Sequence, residues 1–300
     1  MNWQETIQFF SLCMPRAVSR VLAAQPEDSV REIRIRAGSG AVLRTNGGDI
    51  VCPGVISPAQ VGQMAEALSE HALYARAEEQ RQGYVTLRGG HRMGLCGRVI
   101  THGQTVRALR EISSLCIRVA GQWTGAAEGL IPHLLDESGF VRSALIVGMP
   151  GTGKTTLLRD ACRWLSQCGK HVCIVDERSE IAAVCDGAAQ LDVGPNTDVL
   201  DGCSKEAGCR WMIRSMSPQV LATDEPGGAV DLQAVLEAGR SGVAVLATLH
   251  GRDLEHALLH PLVQQRAFDR YVLLSPGGVG QISMICDEQL RPLHACQEAV

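Results

Sequence analysis

The chain has 300 residues, 45% of them hydrophobic, with a formal charge of -4 and a pI near 6.1. That length suits two domains, each able to bury a core, and the acidic balance argues against a protein held on nucleic acid by charge alone. No run reaches the roughly 20 apolar residues needed to cross a bilayer, and the short stretch from Ile7 to Met14 lacks the basic flank and cleavage site of a secretory leader.

The first ~120 residues read as a small mixed domain. An amphipathic helix is predicted from Trp3 to Ala23, and the alternation of Val30, Ile33 and Ile35 with Arg34 and Arg36 suits a half-buried strand. Asn46-Gly47-Gly48 between two short apolar runs predicts a hairpin, because Asn-Gly accepts the positive φ of a tight turn. Ser57-Pro58 opens a helix, with serine as N-cap and proline at the first helical position. Arg88-Gly89-Gly90-His91 separates Tyr84–Leu87 from Met93–Val99 in a second predicted hairpin. The polar, glycine-containing stretch from Gly121 to Gly129 marks the boundary, dividing the chain into an N-terminal domain over 1–122 and a second domain over 123–300.

Beyond it the pattern becomes strand, helix, strand, helix. Apolar runs at Ala144–Val147, Val172–Val175, Val220–Ala222 and Val243–Ala247 alternate with helical stretches, which predicts a mostly parallel sheet with helices on both faces. The twelve cysteines include no Cys-x-x-Cys pair. The groups Cys162, Cys168, Cys173 and Cys203, Cys209 lack zinc-ribbon spacing, so they read as reduced thiols filling small apolar positions.

Gly148-Met149-Pro150-Gly151-Thr152-Gly153-Lys154-Thr155 fits G-x-x-x-x-G-K-[ST] in full, between an apolar strand and a predicted helix that starts at Thr156. Glycines let such a loop turn its N–H groups onto phosphate oxygens at a helix N-terminus, whose partial positive charge favours anions. The motif predicts binding of Mg²⁺ and ATP, with Lys154 on the β and γ oxygens and the Thr155 hydroxyl on the metal. Basic residues are otherwise almost all arginine; lysine occurs only at 154, 170 and 205.

Strand Val220–Thr223 ends in Asp224-Glu225, which predicts Asp224 in the metal shell and Glu225 as a base or water-positioning group. Val172–Val175 ends in a second acidic cluster, Asp176-Glu177-Arg178-Ser179-Glu180, so Glu177 competes with Glu225 for the same role. The strand ending Thr248-Leu249-His250-Gly251 would bring Thr248 and His250 near the γ-phosphate.

Together these pieces resemble the secretion ATPase superfamily, and within it the stage III sporulation protein AA family. The matching residues are GMPGTGKTT (148–156), IVDERSEIAA (174–183), the stretch 198–225 and ATLHG (247–251), with EIRIRAG (32–38) and HRMGLCGRV (91–99) in the N-terminal part. The resemblance implies a RecA-like P-loop NTPase core preceded by a smaller mixed α/β domain. It also implies that Asp176-Glu177 forms an acidic box, Asp224-Glu225 the Walker B pair and His250 the histidine box. It departs at Thr223 and Pro226, where the family pattern has apolar residues. By the same likeness the chain would be a cytoplasmic ATPase forming a hexameric ring, docked from the mother-cell side on an integral membrane component of a secretion-like complex. Two readings from other classes stand beside it: an ATP-gated scaffold with little hydrolysis, and a RecA-like nucleic-acid translocase. Aromatic residues at only 4% count against the last, because single-strand binding needs stacking platforms.

Overall fold

The computed structural model describes residues 1–27, 29–73, 77–81, 83–103 and 105–295. They fall into two units: Met1–Gly121 with Ala183–Gln190, and Gln122–Ala182 with the residues from Leu191 onward.

The first unit starts with α1 (Trp3–Cys13) and α2 (Arg16–Ala23) where the pattern predicts a single helix. Pro15 divides them. Proline has no N–H to give and pushes the residue before it out of the helical region, and Met14 is extended at φ -112, ψ 157. Next come β1 (Val30–Arg36), β2 (Ala41–Thr45), β3 (Gly48–Val51), α3 (Pro58–Leu68), α4 (Ala77–Arg81), β4 (Tyr84–Thr86), β5 (Arg92–His102) and β6 (Thr105–Arg118). The strands form one antiparallel sheet in the order β3-β2-β1-β6-β5-β4. Both predicted hairpins are present: Thr45 pairs Gly48 across Asn46-Gly47, and Thr86 pairs Arg92 across a short turn at Arg88–Gly90. Ser57 caps α3 reciprocally with Gln60. Phe10, Val18, Leu22, Val61 and Leu68 from the helices pack on Ile33, Ile35, Leu43, Met93 and Ile117 from the sheet.

In the second unit, α5 (Ile131–Leu134), β7 (Ala144–Gly148), α6 (Lys154–Gln167) and β8 (Val172–Asp176) come first. The short hairpin β9 (Val184–Cys185) and β10 (Ala188–Ala189) leaves for the first unit. The chain returns with β11 (Thr197–Asp201), α7 (Lys205–Met216), β12 (Val220–Thr223), α8 (Ala229–Arg240), β13 (Ala244–His250), α9 (Leu254–Ala257) and α10 (Pro261–Gln264). It ends in β14 (Arg270–Leu274), β15 (Ile282–Cys286) and β16 (Pro292–Ala295). The sheet order is β11-β8-β12-β13-β7-β14-β15-β16, parallel through β14 and antiparallel at β15 and β16. Helices cover both faces. Residues of α7, α8 and α10 pack with Leu145, Val147, Cys173, Val175, Leu221 and Val245. The alternate positions Ile146, Ile174, Ala222 and Leu246 are equally buried and point the other way, where α6 meets β7, β8, β11 and β13. Among the described residues, no helix is long and apolar enough to cross a membrane.

His91 is a buried titratable group of the first unit. Its ring lies 4.9 Å from that of Phe10, and Nδ1 accepts a 3.0 Å hydrogen bond from the Ala120 N–H. Burial, with the N-terminal ammonium adding, lowers its pKa to about 4. A histidine neutral in the fold but near its ordinary value when unfolded gives stability that is complete above pH 6.5 and drains away as pH falls toward 4. A shift of that size corresponds to about 3 kcal/mol. Denaturant midpoints measured across this window should fall more steeply for the native chain than for His91→Gln, which keeps an acceptor for Ala120 but cannot charge.

Candidate functional site

The loop between β7 and α6 is shaped by glycine at its helix junction. Gly153 caps α6 with φ at 89, and a Cβ there would sit 2.4 Å from the Gly280 nitrogen. The Gly280 N–H in turn donates to the Thr152 carbonyl at 2.7 Å, so the turn between β14 and β15 braces the loop from outside. Sequence reading missed this brace, although the run Gly277-Gly278-Val279-Gly280 is a visible glycine cluster. Thr152 Oγ1 donates to the Met149 carbonyl at 2.9 Å. Met149, Pro150 and Gly151 are exposed, and Thr156 is half-buried in the first turn of the helix. Behind the loop α6 runs for 14 residues, presenting the free N–H groups and partial positive charge of a helix start.

Lys154 is only 6% exposed, and its ammonium is compensated from three directions. Nζ donates to the Met149 carbonyl at 3.2 Å, lies 3.2 Å from His250 Nδ1, and stands 3.6 Å from Glu225 Oε1. His250 Nε2 also reaches Glu225 Oε1 at 2.8 Å. Lysine, histidine and glutamate thus close a triangle drawn from the P-loop, β13 and the end of β12. One arginine approaches from outside, with Arg178 Nη1 4.0 Å from Glu225 Oε2.

A second set of contacts joins the next residue of the loop to the same strand ends. Thr155 Oγ1 donates to Asp224 Oδ2 at 3.0 Å. Thr248 Oγ1 donates to Asp224 Oδ1 and accepts the Glu225 N–H at 3.1 Å. This one buried hydroxyl therefore orients both acidic residues. Glu225 has a positive φ of 42, a conformation that costs a non-glycine residue on the order of 1–3 kcal/mol and recurs at functional sites.

Glu177 lies apart from the triangle. Its carboxylate is paired with Lys205 at the start of α7, although both line a small cavity with Asp176, Arg178, Asp224 and Glu225. Asp176 is bound to backbone instead, for its two oxygens accept the N–H groups of Glu180 at 2.8 Å, Ile181 at 3.0 Å and Ala182 at 2.8 Å. The far side of that turn is held by Arg159 of α6, which donates to the carbonyls of Ile181 and Glu180. Burial lowers the Arg159 pKa to about 10, with the charges of Asp176 and Asp224 opposing that shift. Sequence reading also left out Lys205 and Arg159. Lys205 could have been found as one of only three lysines. Arg159 gives no sequence signal, because only the packing of α6 turns it inward.

Strand register explains the convergence. His250 pairs with Gly148, and Thr223 lies between Val175 and Ala247. The carboxyl ends of β7, β13, β12 and β8 therefore stand side by side, the place where open α/β sheets bind ligands. The residues present fit a magnesium–triphosphate group. The helix start and Lys154 offer positive charge to phosphate oxygens, while Thr155 and Asp224 offer the hard oxygens that Mg²⁺ takes.

Comparison with known proteins agrees with this architecture. A family model described as "Sporulation stage III, protein AA" matches residues 3–292. Stage III sporulation protein AA of Bacillus subtilis (strain 168) is 42% identical over 289 residues, covering 92% of this chain and 93% of that protein. Among solved structures, the pilus retraction motor PilT with bound ADP superposes with a TM-score of 0.61 at 15% identity, covering 90% of this chain and 80% of that one. The Legionella pneumophila ATPase DotB gives 0.53 at 13% identity, covering 81% and 72%. At such identities the structural likeness establishes the shared fold alone.

The loop geometry separates two glycines. Gly151, at φ 80, has open space where a Cβ would go, so Gly151→Ala should cost about 1 kcal/mol of backbone strain. Gly153→Ala adds a clash with the Gly280 backbone, which no side-chain motion relieves, and should cost about 1–3 kcal/mol more. Urea unfolding of the two variants measures the difference.

Proposed function

The chain belongs to the sporulation stage III, protein AA family, and from that premise we propose that it is an ATPase that hydrolyses Mg²⁺-bound ATP to drive a secretion-type assembly. The observation that carries this reading is the meeting of Lys154, Glu225 and His250 beside the Thr155–Asp224 pair, at the strand ends where a P-loop opens. On this reading the P-loop N–H groups and Lys154 bind the β and γ oxygens, while Thr155 and Asp224 hold the metal. The ion, when bound, neutralises charge on the phosphate oxygens.

Phosphate oxygens compete with Glu225 for the Lys154 ammonium. Once Lys154 turns to them, Glu225 keeps His250 on Oε1 and is free to orient a water and accept its proton. Glu177 is the weaker candidate for that role, because its carboxylate is committed to Lys205. Thr248 keeps Asp224 and Glu225 at fixed angles to one another, which limits where the water can sit.

Phosphate release should fall at least about 100-fold in Lys154→Ala and in Glu225→Gln, and by a smaller factor in Glu177→Gln. Unchanged release in Lys154→Ala would overturn the proposal. ATP binding without turnover, unaltered by either glutamate change, would instead favour an ATP-gated scaffold.

We further propose that the protein works as a hexameric ring in the cytoplasm, docked on an integral membrane component that joins mother cell and forespore. The family and the fold shared with a pilus motor support this. Mass in solution should rise from one chain to a ring when ATP and Mg²⁺ are added; a monomer under both conditions would sink the ring.

A further inference from the structure

Three metal-binding side chains meet at the opposite ends of the strands that carry the acidic residues. A His171 ring nitrogen, the Cys173 sulfur and an Asp198 oxygen lie within 4.8 Å of one another. The register makes this meeting. His171 and Cys173 are two residues apart and share one face, and Cys173 pairs directly with Asp198 on the parallel neighbour β11. His171 Nε2 stands 2.7 Å from Asp198 Oδ2.

The histidine backbone is pinned. Its N–H donates to Gln219 Oε1 at 3.0 Å, and its carbonyl accepts the N–H groups of Gln219 at 3.0 Å and Val220 at 3.1 Å. Cys173 is buried in the core cluster that includes Val175 and Met212, whereas His171 and Asp198 are half-exposed. The cluster therefore has a fixed floor and an open mouth. Burial, with the charge of Asp198 adding, pushes the Cys173 thiol up to about 12.

We propose that His171, Cys173 and Asp198 bind a divalent cation of the zinc class, with water as the fourth ligand. Imidazole, thiolate and carboxylate together form a set of intermediate softness that suits Zn²⁺ or Co²⁺. Mg²⁺ takes oxygen ligands and would not be held here, so this ion is distinct from the one at Thr155 and Asp224. A place for it follows from the fold. β11 is the edge of the sheet, half-exposed along its whole length and paired, among the described strands, with β8 only. A cation joining Cys173 to Asp198 clips that edge in register. The same strand leads through Gly202 to Lys205, so the clip also fixes the segment that delivers the ammonium to Glu177. On binding, the thiol proton is released to solvent as the metal–sulfur bond forms.

The test is a Co²⁺ titration of the full chain after chelator treatment, followed through the thiolate-to-cobalt absorption band in the near ultraviolet. One equivalent should bind, Zn²⁺ should displace it, and the band should vanish in Cys173→Ala. His171→Gln and Asp198→Asn, both at half-exposed positions, should weaken binding at least tenfold and decide the matter if Cys173→Ala does not fold. Absence of the band, or a band unchanged in His171→Gln and Asp198→Asn, would overturn the site. None of these readouts uses ATP, so their failure leaves the ATPase reading untouched.

Discussion

A lysine ammonium kept almost wholly out of water must be compensated where it sits, and this requirement organises the second unit. Lys154 draws its three partners from three places in the sequence: the loop itself, the end of β12 and the end of β13. Two of those partners, His250 and Glu225, also hold each other. The charge of Lys154 is thus balanced by groups that a polyanion can replace. On the proposed reading, an incoming phosphate would take over the lysine and free the carboxylate in one exchange, which would link nucleotide binding to release of the glutamate through a single ammonium.

The sheet makes this possible by its strand order. Thr155 and Asp224 are 69 positions apart, and Lys154 and His250 are 96 apart, yet β7, β13, β12 and β8 are immediate neighbours. Parallel strands end on the same side, so four loops open into one crevice. Buried hydroxyls then set the fine geometry. Thr248 holds both acidic residues of the β12 end, and Thr223 donates to the Val175 carbonyl at 3.2 Å, tying β12 to β8 one residue before Asp224. The polar residue at 223 is therefore satisfied rather than disruptive, and Pro226 is buried.

The two lysines of the site form a parallel pair of contacts. Lys154 holds Glu225 and Lys205 holds Glu177, on either side of a small cavity lined by four acidic residues, Asp176, Glu177, Asp224 and Glu225. Four carboxyl groups this close repel one another unless cations are set between them. Lys205, at the head of α7, and Arg178 supply such charge together with the P-loop lysine. Asp176 is relieved differently, by accepting three backbone N–H groups, which makes it the fixed corner of the turn that carries Glu177 and Arg178.

Local chemistry in the chain was sufficient for the hairpin turn at Asn46-Gly47, the α3 cap at Ser57, the glycine-containing loop between β7 and α6, and the strands ending in Asp224-Glu225 and His250. Each depends on residues a few positions apart, and hydrophobic periodicity or turn stereochemistry decides it. The same local view missed the break at Pro15, because periodicity continues across it while the proline backbone does not. Other features depend on which strands lie side by side, and so only the tertiary structure decided them. Among these are the brace from Gly280, the inward turn of Arg159, the pairing of Glu177 with Lys205 and the meeting of His171, Cys173 and Asp198. Strand neighbours in a parallel sheet are chosen by crossover connections tens of residues long, and no short pattern along the chain records which edge each strand will occupy.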